Sequence, residues 1–234
     1  MRLIQTILFF LLVAPTICLA DEAVVSVAGE AELQVPADQA NFELSVVTEA
    51  ATPEAALSEN SKRLDKVLAA LRQAGLADDE LSTGSLAVNP RWSQRPHQAT
   101  PDWKPEIIGY MVSNRLRVKT VKMTGVGRFV ATAVKAGANE VNGLFFDLAD
   151  ERRYRQEAIA LATRNARDDA RSLAGAAGAS LGRIVSLTLD DARPTPVQAM
   201  AGRAFLAEAQ MAPPILSGEV TVRARVSAVY ELKQ

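Results

Sequence analysis

The sequence predicts an α+β fold: antiparallel sheet with three helices packed on it. Strict apolar/polar alternation at both ends of the chain predicts the strands. Three stretches of helical periodicity, each with its own start and stop residues, predict the helices. With 234 residues, 48% of them hydrophobic and 23% charged, the chain has enough material for one large core or two small ones.

From Val25 to Val35 the odd positions Val25, Val27, Ala31, Leu33 and Val35 are apolar, while Glu30, Glu32 and Gln34 are polar. Gly29 inside this strand is expected to mark a bulge or kink. "PADQ" reads as a turn, and Phe42, Leu44 and Val46 resume the alternation, so the two strands are expected to form a hairpin. Thr52 and Pro53 open the first helix, Leu57, Leu64, Val67, Leu68 and Leu71 line its inner face, and Gly75 closes it.

Leu86 and Val88 indicate a short strand. Residues 91–106 are polar and proline-containing, hold both tryptophans and the single histidine, and read as a surface loop. Tyr110 to Lys119 then alternates as a long strand with a basic exposed face. Thr124 is the expected cap of a second helix with an inner stripe of Val126, Phe129, Val130, Ala133 and Val134, ended by Gly137.

"AGANEVNGLFFDL" follows, in which Val141 to Leu148 forms a strand that points Phe145 and Phe146 to opposite faces. A third helix, from about Glu151 to Ala177 between Asp150 and Gly178, spans roughly 40 Å. Ile184, Val185, Leu187 and Leu189 make a further strand. Residues 191–218 read as an inserted loop, and Val220 to Leu232 is the clearest strand of all.

A formal net charge of -1 provides no broad positive field, which argues against nucleic-acid binding. Arg2, the apolar run from Leu3 to Ala14 and the small residues Cys18 and Ala20 have the form of a cleaved secretory signal covering residues 1–20. Pro15 and Thr16 break that run too soon for a stable membrane span. Cleavage after Ala20 would leave a chain from Asp21 to Gln234 without cysteine, so without disulfides or thiol chemistry.

Taken together, "VSVAGEAELQVPADQANFELSV", "GY" before the long strand, "AGANEVNGLFFDL", the Ala/Arg-rich helix, "LG" before the next strand and "SGEVTVRARVSAVYEL" resemble the SIMPL-domain family of the bacterial envelope. That family includes YggE-like proteins and the Brucella periplasmic immunogenic protein. The resemblance covers nearly all of residues 21–234 as one SIMPL domain. It implies a periplasmic location, a link to oxidative stress and a habit of homo-oligomeric assembly, and it supplies no catalytic motif. One departure is "ARDDARSLA", where family members commonly carry a Lys-Ala pair; this weakens any anion-binding idea based on that lysine.

No residue set points to an enzyme or a cofactor. Gly125 and Gly127 have the look of a dinucleotide loop, but Val130 stands at the third glycine position. His97 has no cluster of acids around it, and no Gly-x-Ser-x-Gly elbow accompanies it. Arg164, Arg167 and Arg171 share a helix face with Asp168 and Asp169 interleaved, the pattern of a solvated, ion-paired surface.

The expected contact residues for assembly or for a ligand are Trp92, Trp103, Tyr110, Phe129, Phe145, Phe146 and Phe205. Subunits are expected to meet at sheet edges and at the two irregular loops. The alternative is a small-ligand or peptide-binding module whose pocket, between sheet and helices, is lined by Tyr110, Phe129 and Phe145.

Overall fold

The computed structural model describes residues 23–98, 102–198 and 218–234; the expected signal, residues 1–20, and Phe205 lie outside them. In chain order the elements are β1 (Val24–Pro36), β2 (Gln39–Ala50), α1 (Pro53–Gln73), β3 (Leu81–Trp92), β4 (Ile107–Thr120), α2 (Val126–Ala136), β5 (Glu140–Asp147), α3 (Glu151–Ala176), β6 (Ser180–Thr195), β7 (Val197–Gln198) and β8 (Glu219–Lys233). All strand pairs are antiparallel, which makes the α+β class a finding.

The strands form two sheets, one ordered β1-β8-β6 and the other β3-β4-β2-β5-β7. β1 and β2 therefore do not make the expected hairpin. β1 pairs along its full length with β8, and β2 lies between β4 and β5. The turn between them carries the chain from one sheet to the other.

Inward residues of both sheets share one large core, and Ala166, Ala170, Ala228 and Tyr230 form a smaller cluster under the second half of α3. Phe42, Leu44 and Val46 of β2 join Val67 and Leu71 of α1, Phe129 and Val130 of α2, Ala158 and Ala162 of α3, and Val220 and Val222 of β8. Helices α1 and α2 cover the five-stranded sheet, and α3 lies along β1, β8 and β6. Leu57 and Val134, expected on inner faces, are instead 40% and 49% exposed; Ala56 and Asn60 take the buried positions of α1 beside Val67 and Leu71.

Helix α3 touches its sheet through a stripe of small side chains. Ala158, Ala162, Ala166, Ala170 and Ala174 recur every four residues, face the same way and are all buried. With only methyl groups on this stripe of the helix, helix and sheet approach closely. Gly29 is where they meet: a Cβ there would lie 2.1 Å from the Ala162 carbonyl oxygen and 2.4 Å from the Ala166 nitrogen. Gly29 pairs in regular register with Val226, so this glycine makes room for a helix and does not mark a bulge.

The helix ends follow the expected signals with one exception. The Thr52 hydroxyl accepts from the Ala55 N–H and the Asp150 carboxylate from the Arg153 N–H. Thr124 caps nothing, because residues Met123–Gly125 form a short 3-10 turn that runs straight into α2. Strand β6 extends to Thr195, within the segment read as an inserted loop.

Candidate functional site

The stretch "AGANEVNGLFFDL" builds one side of the face of the five-stranded sheet that lies away from the helices. Gly137, at φ +128°, ends α2, and its N–H donates to the carbonyls of Ala133 and Val134. Asn139 then acts as a strand before β5 begins. Its backbone N–H donates to Ser45 O, its Oδ1 accepts from the Val47 N–H, and its Nδ2 donates to Val47 O.

Gly143, at φ +52°, sits where β5 shifts register against Asn41 and Glu43 of β2. A Cβ at this position would come within 2.6 Å of the Phe145 ring, so the glycine lets that ring fold back over the backbone. Beyond the bulge the two phenylalanines separate as their parity requires. Phe146 is 1% exposed and belongs to the core, while Phe145 is 40% exposed on the outer face.

Phe145 borders a cleft of about 320 Å³ that is also lined by Asn41, Phe42, Glu43, Arg117, Asn142 and Gly143. The Glu43 carboxylate lies 3.1 Å from Arg117 and 3.4 Å from Arg115. The basic face of β4 is thus neutralised from β2, a compensation that depends on cross-strand register and so has no local signal. Among the described residues that line the cleft, the one acid, Glu43, is engaged by two guanidinium groups.

Outside the cleft, Glu80 and Glu151 are shifted by their structural surroundings. Burial opposes the charge of Glu80, yet the Ala77 N–H, Lys122 and the Thr120 hydroxyl outweigh it and hold the carboxyl below its ordinary range. Burial raises Glu151, and the neighbouring Asp147 carboxylate adds to the rise, with Lys119 opposing. Among the described residues no group of three or more His, Cys, Asp or Glu side chains is placed to hold a metal ion.

The expected contact residues do not converge. Tyr110 pairs with Ala50 at one end of β2 and Phe145 with Asn41 near the other, nine residues and about 30 Å apart. Phe129, at 1% exposure, is enclosed under α2 and, like Phe146, presents no surface to a ligand or a subunit. No single pocket unites Tyr110, Phe129 and Phe145. Trp92 is 52% exposed where β3 and β4 run on past the end of β2, beside Ile107 and Ile108 at 46% and 58%. Trp103 is half-buried in the connecting loop.

The stripe of Arg164, Arg167 and Arg171 is solvated, with Asp168 3.8 Å from Arg167 and 3.6 Å from Arg171. The apolar surface that the sequence did not single out is β6, whose Ile184, Val185, Leu187 and Leu189 are 42 to 50% exposed.

An antiparallel α+β protein with paired surface charges and apolar sheet edges is the class this geometry defines. The family model for SIMPL, described as "Protein of unknown function (DUF541)", matches residues 25–230, and the chain belongs to that family. It is 32% identical over 212 residues to the "26 kDa periplasmic immunogenic protein" of Brucella melitensis biotype 1, covering 89% of this chain and 84% of the relative. The protein of the same name in Brucella abortus strain S19 matches to the same extent. The "Uncharacterized protein YggE" of Edwardsiella ictaluri is 26% identical over 160 residues, covering 68% of this chain and 65% of the relative. No described helix is long and apolar enough to cross a membrane.

Proposed function

We propose that this chain is a non-enzymatic periplasmic protein that assembles with copies of itself and supports the envelope against oxidative stress. The observation that carries the assembly is the exposure of large apolar side chains on the long edge strands β3 and β6. The names of the Brucella relatives support the periplasm, as does the signal-like stretch of residues 1–20. The link to oxidative stress rests on the family resemblance alone. Sedimentation of the exported protein across a wide concentration range tests assembly: oligomers are expected, and a strict monomer at high concentration would sink it. N-terminal sequencing of the same material is expected to begin at Asp21.

The second reading is a small-ligand or peptide-binding module, and the cleft beneath Phe145 favours it. Native mass spectrometry after gentle purification is then expected to show bound mass. Metabolite and peptide screens that return nothing would count against this function.

A further inference from the structure

Among the described residues, the four sheet edges are not equally guarded. β7 has two residues. β1 carries Glu30 and Glu32, each bonded to an arginine of β8. β3 is interrupted by a register shift around Gly84, by Pro90 and by the polar Ser82, Thr83, Ser85 and Asn89. β6 alone presents an uncharged, largely aliphatic run, "IVSLTL" from Ile184 to Leu189, and among the described residues no strand pairs with its outer edge. Edges of this kind are usually blunted by charge, by proline or by brevity.

We infer that a second copy of this chain pairs here, β6 against β6, antiparallel across a two-fold axis. The inference rests on the self-assembly proposed for the protein and names where it happens. Three features select this occupant.

Free backbone N–H and C=O groups along an edge are complemented by another strand. The run is also bounded by opposite charges, Arg183 before it and Asp190 and Asp191 after it. Antiparallel copies set the basic end of one beside the acidic end of the other, whereas parallel copies would set like beside like. Within their own chain Arg183 bonds Glu231, Asp190 bonds Ser227 and lies near Arg225, and Asp191 bonds Arg193, so a second copy shares these charges between partners, and the run between them carries no charge of its own.

The faces agree as well. A two-fold axis perpendicular to a continuous sheet keeps each face on its own side, so residues that meet must point the same way. Leu187 and Leu189 pair with Ala228 and Val226, on the side of the sheet that α3 covers further in, and Ser186 and Thr188 pair with Val229 and Ser227 on the other side. A register centred on Leu187 satisfies this, with Leu187 opposite the second copy's Leu187 and Ser186 opposite its Thr188. Register shifts at Val185 and Asp190 bound the regular stretch, so the new ladder is short and aliphatic burial contributes much of the contact. The product is a continuous sheet of six strands, β1-β8-β6-β6-β8-β1.

The test uses the fact that Cys18 is the only cysteine. In a chain carrying Cys18→Ser, a Leu187→Cys substitution places one thiol beside its own copy. Directly opposed antiparallel residues lie about 4.5–5.5 Å apart at Cα, within disulfide range. Mild oxidation is expected to yield a covalent dimer that reductant reverses, while Leu86→Cys on β3 in the same background stays uncrosslinked. Leu187→Lys, shown to be folded by circular dichroism, is expected to lower the sedimenting mass by about half.

If the wild-type chain sediments as an oligomer and Leu187→Cys gives no covalent dimer, the β6 contact is overturned and assembly stands. A wild-type chain that is monomeric throughout overturns both. Crosslinking through Leu86→Cys alone would move the interface to β3 and refute the β6 contact.

Discussion

Asn139 stands in for a strand residue opposite Val47, its side-chain amide bonding both the N–H and the C=O of Val47 at 2.8 Å. The last ladder contacts of β2 on this side thus come from a side chain, just before β5 starts. Replacing Asn139 with Ala leaves both groups to water at the sheet margin. A loss of about 1–2 kcal/mol is expected in urea denaturation, with amide exchange at Val47 accelerated. Asn139→Asp keeps the acceptor and loses the donor, so it should fall between wild type and Asn139→Ala.

Adjacent phenylalanines should behave as opposites. Phe146 is fully enclosed, and Phe146→Ala is expected to cost about 3–5 kcal/mol. Phe145 lies over Gly143 on the outer face, and Phe145→Ala should change stability by less than about 1 kcal/mol. Equilibrium unfolding of the two variants under the same conditions measures the contrast.

Gly29 admits no side chain. A methyl group would collide with helix backbone at Ala162 and Ala166, which cannot rotate away. Gly29→Ala is therefore expected to destabilise by about 3 kcal/mol or more, measured as a shift in denaturation midpoint. The effect should exceed that of Gly175→Ala, where a Cβ meets nothing within 4 Å.

Two carboxylates should shape the pH dependence in opposite senses. Glu80 is held below its ordinary value of 4.5, so its contribution is present above that pH and is lost as the pH falls through its folded value. Glu80→Gln should therefore lower Tm at pH 7, with the deficit shrinking in acid. Glu151 is raised above 4.5, so its contribution is full below that pH and is lost as the pH rises through its folded value. Glu151→Gln should raise Tm at pH 7 and give no advantage below pH 4.5. Thermal unfolding of both variants from acid to neutral pH distinguishes the two signs.

Legibility in the sequence followed the range of the interactions. The α+β class, the three helices and the opposite orientations of Phe145 and Phe146 depend on periodicity and caps within a few residues, and they could be read directly. The partner of β1 could not, because β8 lies at the other end of the chain and the nearer β2 offered an equally good alternation. The compensation of Arg115 and Arg117 by Glu43 was hidden for the same reason. Gly29 was ambiguous, since a glycine in a strand serves a bulge and a close approach equally well. The five alanines of α3 at four-residue spacing are a local signal of a helix that lies close to its neighbour.

That alanine face has a consequence for how the protein can change. A stripe of methyl groups offers few knobs to lock a helix along its length, so the placement of α3 on β1 depends on the notch at Gly29 and on the Asn165 side chain, which donates to the Glu30 carbonyl at 2.7 Å. Gly29, Ala162 and Ala166 work as a dovetail joint, cut to one fit. A side chain at Gly29 would meet helix backbone, which no neighbouring substitution can shrink, so this position can drift only by lifting the whole helix.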